Sequence, residues 1–235
     1  MMIKYSKKLK VVIVMGPPGS GKGTQAQLLA EKLYLFSLET SEIIEKNLAN
    51  IRKNDFVKVG GKKYFLTEER KLRNSGKWMS PPLITFWVKN KIKSLAKEEK
   101  GIVFSGSPKT IYEAKEITPL LKKLYGVSNI ITILIKQRPE VSIWRNKKRR
   151  ICELMRHSIL YTVQTAKLKL CPFDGSKLIH REDSKPAVIK SKLDEFKERS
   201  LPIIDYLKKQ GIKVKEVNGE QSVADVFKDI LKLVK

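Results

Sequence analysis

An α/β fold around a five-stranded parallel sheet is predicted by three features of this 235-residue chain. Short β-branched runs alternate with longer helix-periodic segments. The first run, Val11–Met15, is apolar throughout, as a strand buried on both faces is. A glycine-rich turn follows it directly and opens a helix.

Taken in order, strands are predicted at Val11–Met15, more weakly at Leu35–Ser37, then at Ile102–Phe104, Ile130–Ile135 and Lys213–Val217. Helical spacing marks Gln25–Leu33 and Leu83–Leu95. Pro186 to Gln210 reads as helical, with Pro at its start, a kink at Pro202 and a stop at Gly211. In the last helix Val223, Val226, Phe227, Ile230, Leu231 and Val234 share a face, and Ser222 with Asp225 forms a capping box. Two stretches interrupt the alternation. Residues 38–82, rich in Lys, Arg, Glu and Asn around Gly60-Gly61, read as a small helical lobe. Residues 145–184 open with the basic run Arg145–Arg150, hold both cysteines, and read as a second insertion.

The length suits one core carrying inserted lobes. With 41% apolar and 31% charged residues, a fully disordered chain is excluded. Lys and Arg number 49 against 24 acids, a net charge of +25. That surplus favours phosphate-rich partners: nucleotides, RNA or an anionic surface. Cys152 and Cys171 make no disulfide framework, and no run is long enough to span a bilayer or patterned as a signal peptide. A soluble, cytoplasmic monomer is the expectation.

Gly16-Pro-Pro-Gly-Ser-Gly-Lys-Gly-Thr24, between strand and helix, has the context of a Walker A loop. Its glycines let backbone N–H groups turn inward as an anion nest, and the helix start adds unsatisfied donors. Lys22 is placed to reach the outer phosphates. Gly23 stands where the strict pattern has Ser or Thr, and Thr24 comes next.

The spelling Gly-Lys-Gly-Thr-Gln resembles the adenylate kinase family of nucleoside monophosphate kinases, a set of P-loop NTPases with a three-layer fold. Further segments resemble that family in order. They are Gly76-Lys77-Trp78-Met79, Gly106-Ser107-Pro108-Lys109-Thr110, the cluster Arg145, Arg149 and Arg150, and the stretch Leu178 to Asp183 carrying Arg181. The resemblance implies a P-loop core at 1–37, 83–144 and 185–235, a monophosphate-binding lobe at 38–82 and a lid at 145–184. It implies transfer of a phosphoryl group from MgATP to AMP or another nucleoside monophosphate. ATP would lie on Gly16, Pro18, Gly19, Ser20, Gly21, Lys22, Gly23, Thr24 and Arg145. The acceptor would meet Thr40, Met79, Gly106, Lys109 and Glu113. Lys22, Lys109, Arg145, Arg149, Arg181 and Lys192 would surround the moving group, with Mg2+ held by phosphates, Thr24 and water.

Four positions depart from the family pattern. Glu45 stands where an arginine grips the acceptor phosphate; a carboxylate at about 4 Å from that charge costs on the order of 4 kcal/mol at an effective dielectric near 20. Ser105 replaces an aspartate that orders metal-bound water. Lys109 and Lys192 keep the charge of arginines but lose the fork. Glu113 takes the place of a base-reading glutamine. Two alternatives follow: a CMP- or UMP-type kinase, and a catalytically weakened, kinase-like basic protein that attaches to RNA or the ribosome.

Arg149-Arg150-Ile151-Cys152 and Cys171-Pro-Phe-Asp174-Gly175 resemble the half-sites of the family's zinc-bearing lids. Met155 stands at the missing position, and His157 is the substitute. Cys152, His157, Cys171 and Asp174 are then either a structural Zn2+ site or a set of semi-buried side chains without a metal.

Overall fold

The computed structural model describes residues 10–75, 77–155, 157–180 and 186–234. Along the chain, β1 (Val11–Met15) and α1 (Lys22–Leu33) lead to β2 (Phe36–Leu38), α2 (Thr40–Leu48), β3 (Phe56–Val59), β4 (Lys62–Phe65) and α3 (Leu66–Asn74). Then come α4 (Pro81–Lys97), β5 (Ile102–Ser105), α5 (Ile111–Tyr125), β6 (Ile130–Lys136) and α6 (Pro139–Lys148). Short strands β7 (Arg150–Cys152), β8 (Ser158–Ile159) and β9 (Leu178–His180) precede α7 (Pro186–Glu195), α8 (Leu201–Lys209), β10 (Lys213–Asn218) and α9 (Val223–Val234).

Five of these strands form a parallel sheet in the order β10-β6-β1-β5-β2. They are the five that the sequence predicts, the weakest displaced by one residue. Strand β1 is central and fully buried because both its faces are covered. Val11, Ile13 and Met15 point into one layer with Phe104, Leu121 and Ile204, whereas Val12 and Val14 point into the other with Leu29 and Ile230. The two-residue period thus produces a three-layer sandwich, with α4, α5 and α8 on one side and α1 and α9 on the other. Since β1 lies between β5 and β6, loops leaving its carboxyl end diverge to either side and open a crevice there.

Where the sequence predicts a kink at Pro202, the structure has a π turn just before it. Pro202 offers no N–H to the carbonyl of Glu198 and its ring crowds that group, so the helix widens to a π turn over Phe196–Ser200 before α8 resumes. Ser222 caps α9, its hydroxyl accepting from the Asp225 N–H at 3.1 Å.

Residues 38–82 differ from the helical expectation. Besides α2 and α3, they hold an antiparallel hairpin, β3 with β4. Gly60 and Gly61 both have positive φ, +57° and +85°, as a two-residue type I′ connection requires. Phe56 and Phe65 on the outer face and Lys62 on the packed one disguise the strand pattern. The segment between α6 and α7 likewise contains a three-stranded sheet, β8-β7-β9, over a small core of Cys152, Ile159 and Cys171. Among the described residues, no helix is long and apolar enough to cross a membrane.

Removing the α9 cap tests this reading of local structure. Ser222→Ala should cost about 1 kcal/mol in urea denaturation with an unchanged slope, since only one helix-end donor is orphaned.

Candidate active site

The loop between β1 and α1 is built by close approach. A Cβ on Gly16 would sit 2.6 Å from the Ile135 carbonyl and 2.7 Å from the Ser20 hydroxyl, and one on Gly19 would run into the Asn146 amide. Only glycine lets the turn nest this deeply against β6 and α6. Gly21 (φ +89°) ends the loop and starts α1 without any side-chain cap, so the first N–H groups of that helix stay available to an anion. From outside, Gln137 donates to the Pro18 carbonyl at 3.0 Å, and the Ser142 hydroxyl donates to the same oxygen.

Lys22 folds back over this turn and donates to the Gly16 and Pro17 carbonyls at 2.7 and 2.8 Å. Burial, then the charges of Lys109 and Arg149, push its ammonium down to about 8. Three cations drawn from distant parts of the chain are therefore crowded together, an arrangement that a bound polyanion would relieve.

A cleft of about 300 Å³ opens beside the loop. Gly16, Pro18 and Lys22 line it from the loop, and Gly106 and Lys109 from the turn after β5. Lys192, Phe196 and Arg199 face it from α7 and the π turn, and Trp78 from the segment before α4. The Arg199 guanidinium lies 5.0 Å from the centre of the Trp78 ring. The structure thus gathers Lys22, Lys109 and Lys192 as the sequence predicts. Trp78 and Arg199 are additions: the first sits within a recognised segment, while the second has no mark among 49 basic residues.

Other predicted residues are placed differently. Arg145 does not line the cleft: its guanidinium donates to Gln137 Oε1 at 3.1 Å and to the Gly219 carbonyl at 2.8 Å, tying the loop after β6 to that after β10. The Met79 side chain is buried among Leu48, Tyr64, Leu83 and Trp87, so only its backbone can face a ligand. Thr40 starts α2, 6% exposed, its hydroxyl without a hydrogen-bond partner among the described residues. Thr24 is half-buried in the first turn of α1, and the Ser105 hydroxyl lies 4.0 Å from the Cβ position of Gly23. Arg181 and Gly76 lie outside the described residues.

Glu113 is engaged within its own loop. Its carboxylate accepts from the Ser107 hydroxyl at 2.5 Å and from the Lys109 N–H at 2.7 Å, while Thr110 accepts from the Glu113 N–H. Thr110 and Glu113 are spaced as a capping box, a signal present in the sequence and not read there. In this conformation the carboxylate, each oxygen accepting one hydrogen bond, holds the 106–110 turn. Glu45 is also engaged, 2.6 Å from Arg73 of α3, so its charge is balanced by a neighbouring cation.

In the segment after α6 the four predicted metal ligands converge. One donor atom each from Cys152, His157, Cys171 and Asp174 lies within 4.8 Å of the others. Cys152 Sγ is 3.0 Å from Asp174 Oδ2, which is 3.3 Å from His157 Nδ1; Cys171 Sγ is 3.6 Å from that nitrogen. Bonds of about 2.3 Å to sulfur and 2.0 Å to nitrogen or oxygen imply tetrahedron edges of about 3.3 to 3.8 Å, so the set fits a tetrahedral ion with little adjustment. The other Asp174 oxygen is held by Ser176, and the His157 N–H points at Cys152 Sγ.

Fold and loop define a P-loop protein whose basic cleft at the sheet's carboxyl edge suits phosphoryl transfer. The family model described as adenylate kinase matches residues 14–212. An adenylate kinase of Clostridium botulinum (strain Loch Maree / Type A3) is 30% identical over 222 residues, 93% of this chain and 95% of that protein. Those of Lachnospira eligens and Methanothrix thermoacetophila are 31% and 28% identical, over 95% of this chain and 99% and 97% of theirs. The chain belongs to the adenylate kinase family and is a phosphotransferase.

The Glu113 finding has a direct test. Glu113→Ala should lower stability by about 2 kcal/mol, because two donors to a charged group lose their acceptor. A change in base preference at unaltered melting temperature would instead make Glu113 a base reader.

Proposed function

We propose that this protein is a nucleoside monophosphate kinase, transferring the γ-phosphoryl group of MgATP reversibly to AMP or a related monophosphate. The observation that carries the reading is the convergence of Lys22, Lys109 and Lys192 on one cleft beside an uncapped helix start. The P-loop amides and Lys22 hold the triphosphate, Lys22 exchanging its two carbonyl contacts for phosphate oxygens. Lys109, Lys192 and Arg149 place positive charge around the equatorial oxygens of the moving group, which needs alignment and charge rather than a covalent intermediate. Mg2+, brought with the nucleotide, would offset charge on the outer phosphates. Thr24 and Ser105 offer it hydroxyls in place of a carboxylate, compatible with an ion that keeps most of its waters.

In this reading residues 38–82 carry the acceptor and 145–184 form a lid that shuts out water, the rest being the core. The lid's Cys152, His157, Cys171 and Asp174 hold a structural Zn2+, because a core of three buried side chains is too small to order that segment. With four side chains as its ligands, such an ion would supply folding energy and no chemistry.

A coupled assay with MgATP against AMP, GMP, CMP and UMP tests the activity and names the acceptor; turnover with none rejects it. Lys22→Ala should lower kcat more than tenfold while the circular dichroism spectrum is unchanged. At the acceptor end, Glu45→Gln should reduce the acceptor KM several-fold by releasing Arg73, and Arg73→Ala should raise it. Movement of both in the same direction would show that this pair does not face the acceptor. Elemental analysis should find one zinc per chain, lost in Cys171→Ser together with several degrees of melting temperature.

A further inference from the structure

The hairpin β3–β4 is an addition to the helical lobe that the family resemblance implies, and its two faces are chemically unlike. Pairing sets Phe56 opposite Phe65, Val57 opposite Tyr64 and Lys58 opposite Lys63. Because side chains alternate, Val57, Val59, Tyr64 and Lys62 fall on one face; its apolar members pack on Leu48, Leu66 and Leu83, and Lys62 lies at its edge, 5.4 Å from the Tyr64 ring centre. Phe56, Phe65, Lys58 and Lys63 share the other. Both phenylalanines remain uncovered there, 45% and 40% exposed, with ring centres 6.0 Å apart. The Lys63 ammonium stands 4.5 Å from the Phe56 ring centre. The acid closest in sequence, Asp55, is turned into its own loop, where its carboxylate accepts from the Arg52 N–H at 2.7 Å.

Two exposed rings interleaved with cations on a two-stranded ribbon form a surface that would lower affinity for water and for other cations alike. Its complement is a ligand with flat π faces and regularly spaced negative charge. Single-stranded nucleic acid has both: each base offers a face for a ring to stack on, and each phosphate lies within reach of a lysine. A folded protein partner would have to bring a dense acidic patch, whereas the chain's net charge of +25 already draws polyanions to this molecule from a distance. None of these four residues lines the nucleotide cleft.

We propose that the outer face of the β3–β4 ribbon binds single-stranded RNA or DNA, bases stacking on Phe56 and Phe65 and phosphates meeting Lys58 and Lys63. The test uses the full chain and a fluorescent twelve-residue oligouridylate, followed by anisotropy at rising salt, with oligothymidylate and an RNA duplex as further arms. Binding to the single strand should exceed binding to the duplex at least tenfold, because paired bases have no free face. Similar affinity for the ribo- and deoxy-oligomers would show that the sugar is not read; preference for one names the source.

Phe56→Leu/Phe65→Leu, which keeps apolar bulk on the hairpin, should weaken binding at least tenfold. Lys58→Ala/Lys63→Ala should reduce the slope of log affinity against log salt by about 1.4, two phosphate contacts at about 0.7 each. Both variants should keep the circular dichroism spectrum and the melting transition of the parent, which shows that they fold. Undetectable binding at 50 µM protein in low salt would overturn the proposal, as would equal duplex binding or affinity unmoved by loss of the rings. Concentration-dependent dimers abolished by the Leu pair, without oligonucleotide binding, would overturn it in favour of a self-association face.

Discussion

The turn from β1 into α1 is the constraint on which the rest of this structure depends. Backbone N–H groups can point together only if the chain curls tightly, and it curls because Gly16 and Gly19 admit Ile135, Ser20 and Asn146 to distances that a side chain would forbid. The cost of that curl is carried by the sheet. β1 is hydrogen-bonded on both edges and buried on both faces, so its last residue is held rigidly where the loop begins. Lys22 ties the loop to the helix it opens: the ammonium supplies the loop with charge and the loop carbonyls supply the ammonium with acceptors.

Around that turn the molecule gathers positive charge from parts of the chain far apart in sequence. Lys109 comes from the loop after β5, Lys192 from α7 and Arg199 from the π turn that Pro202 imposes. Other cations tie loops and helices together through acids or carbonyls: Arg73 with Glu45, Arg138 with Glu220, Arg145 with the Gly219 carbonyl. A lysine on a wet surface contributes little, whereas Lys22, Lys109, Lys192 and Arg199 share one cleft, where their fields add.

Much of this was legible beforehand, and the failures share a cause. The strands, the loop and the capping of α9 are legible in local spacing, because each is set by residues a few positions apart, and the converging Cys152, His157, Cys171 and Asp174 through family resemblance. The β3–β4 hairpin is hidden although Gly60-Gly61 marks its turn, since Phe56 and Phe65 put apolar residues on the outer face and Lys62 puts a charge on the packed one. Family position points Glu113 at a base, and the tertiary structure adds that its carboxylate accepts from Ser107 and the Lys109 N–H, a partnership that depends on how the 106–110 turn folds. Family position likewise sets Met79 at the acceptor, and only the fold shows its side chain completing a core with Tyr64 and Trp87.

By itself, then, the order of amino acids determined the periodicities, the anion-binding turn and the excess of charge, because these follow from bonds and sterics between near neighbours. Only the tertiary structure decided which of 49 basic side chains share a cleft, that Glu45 is neutralised by Arg73, and that Trp78 meets Arg199. Those are contacts between elements whose separation along the chain carries no information about their separation in space. They exist because burying the two faces of one sheet leaves the loops at its carboxyl edge nowhere else to converge.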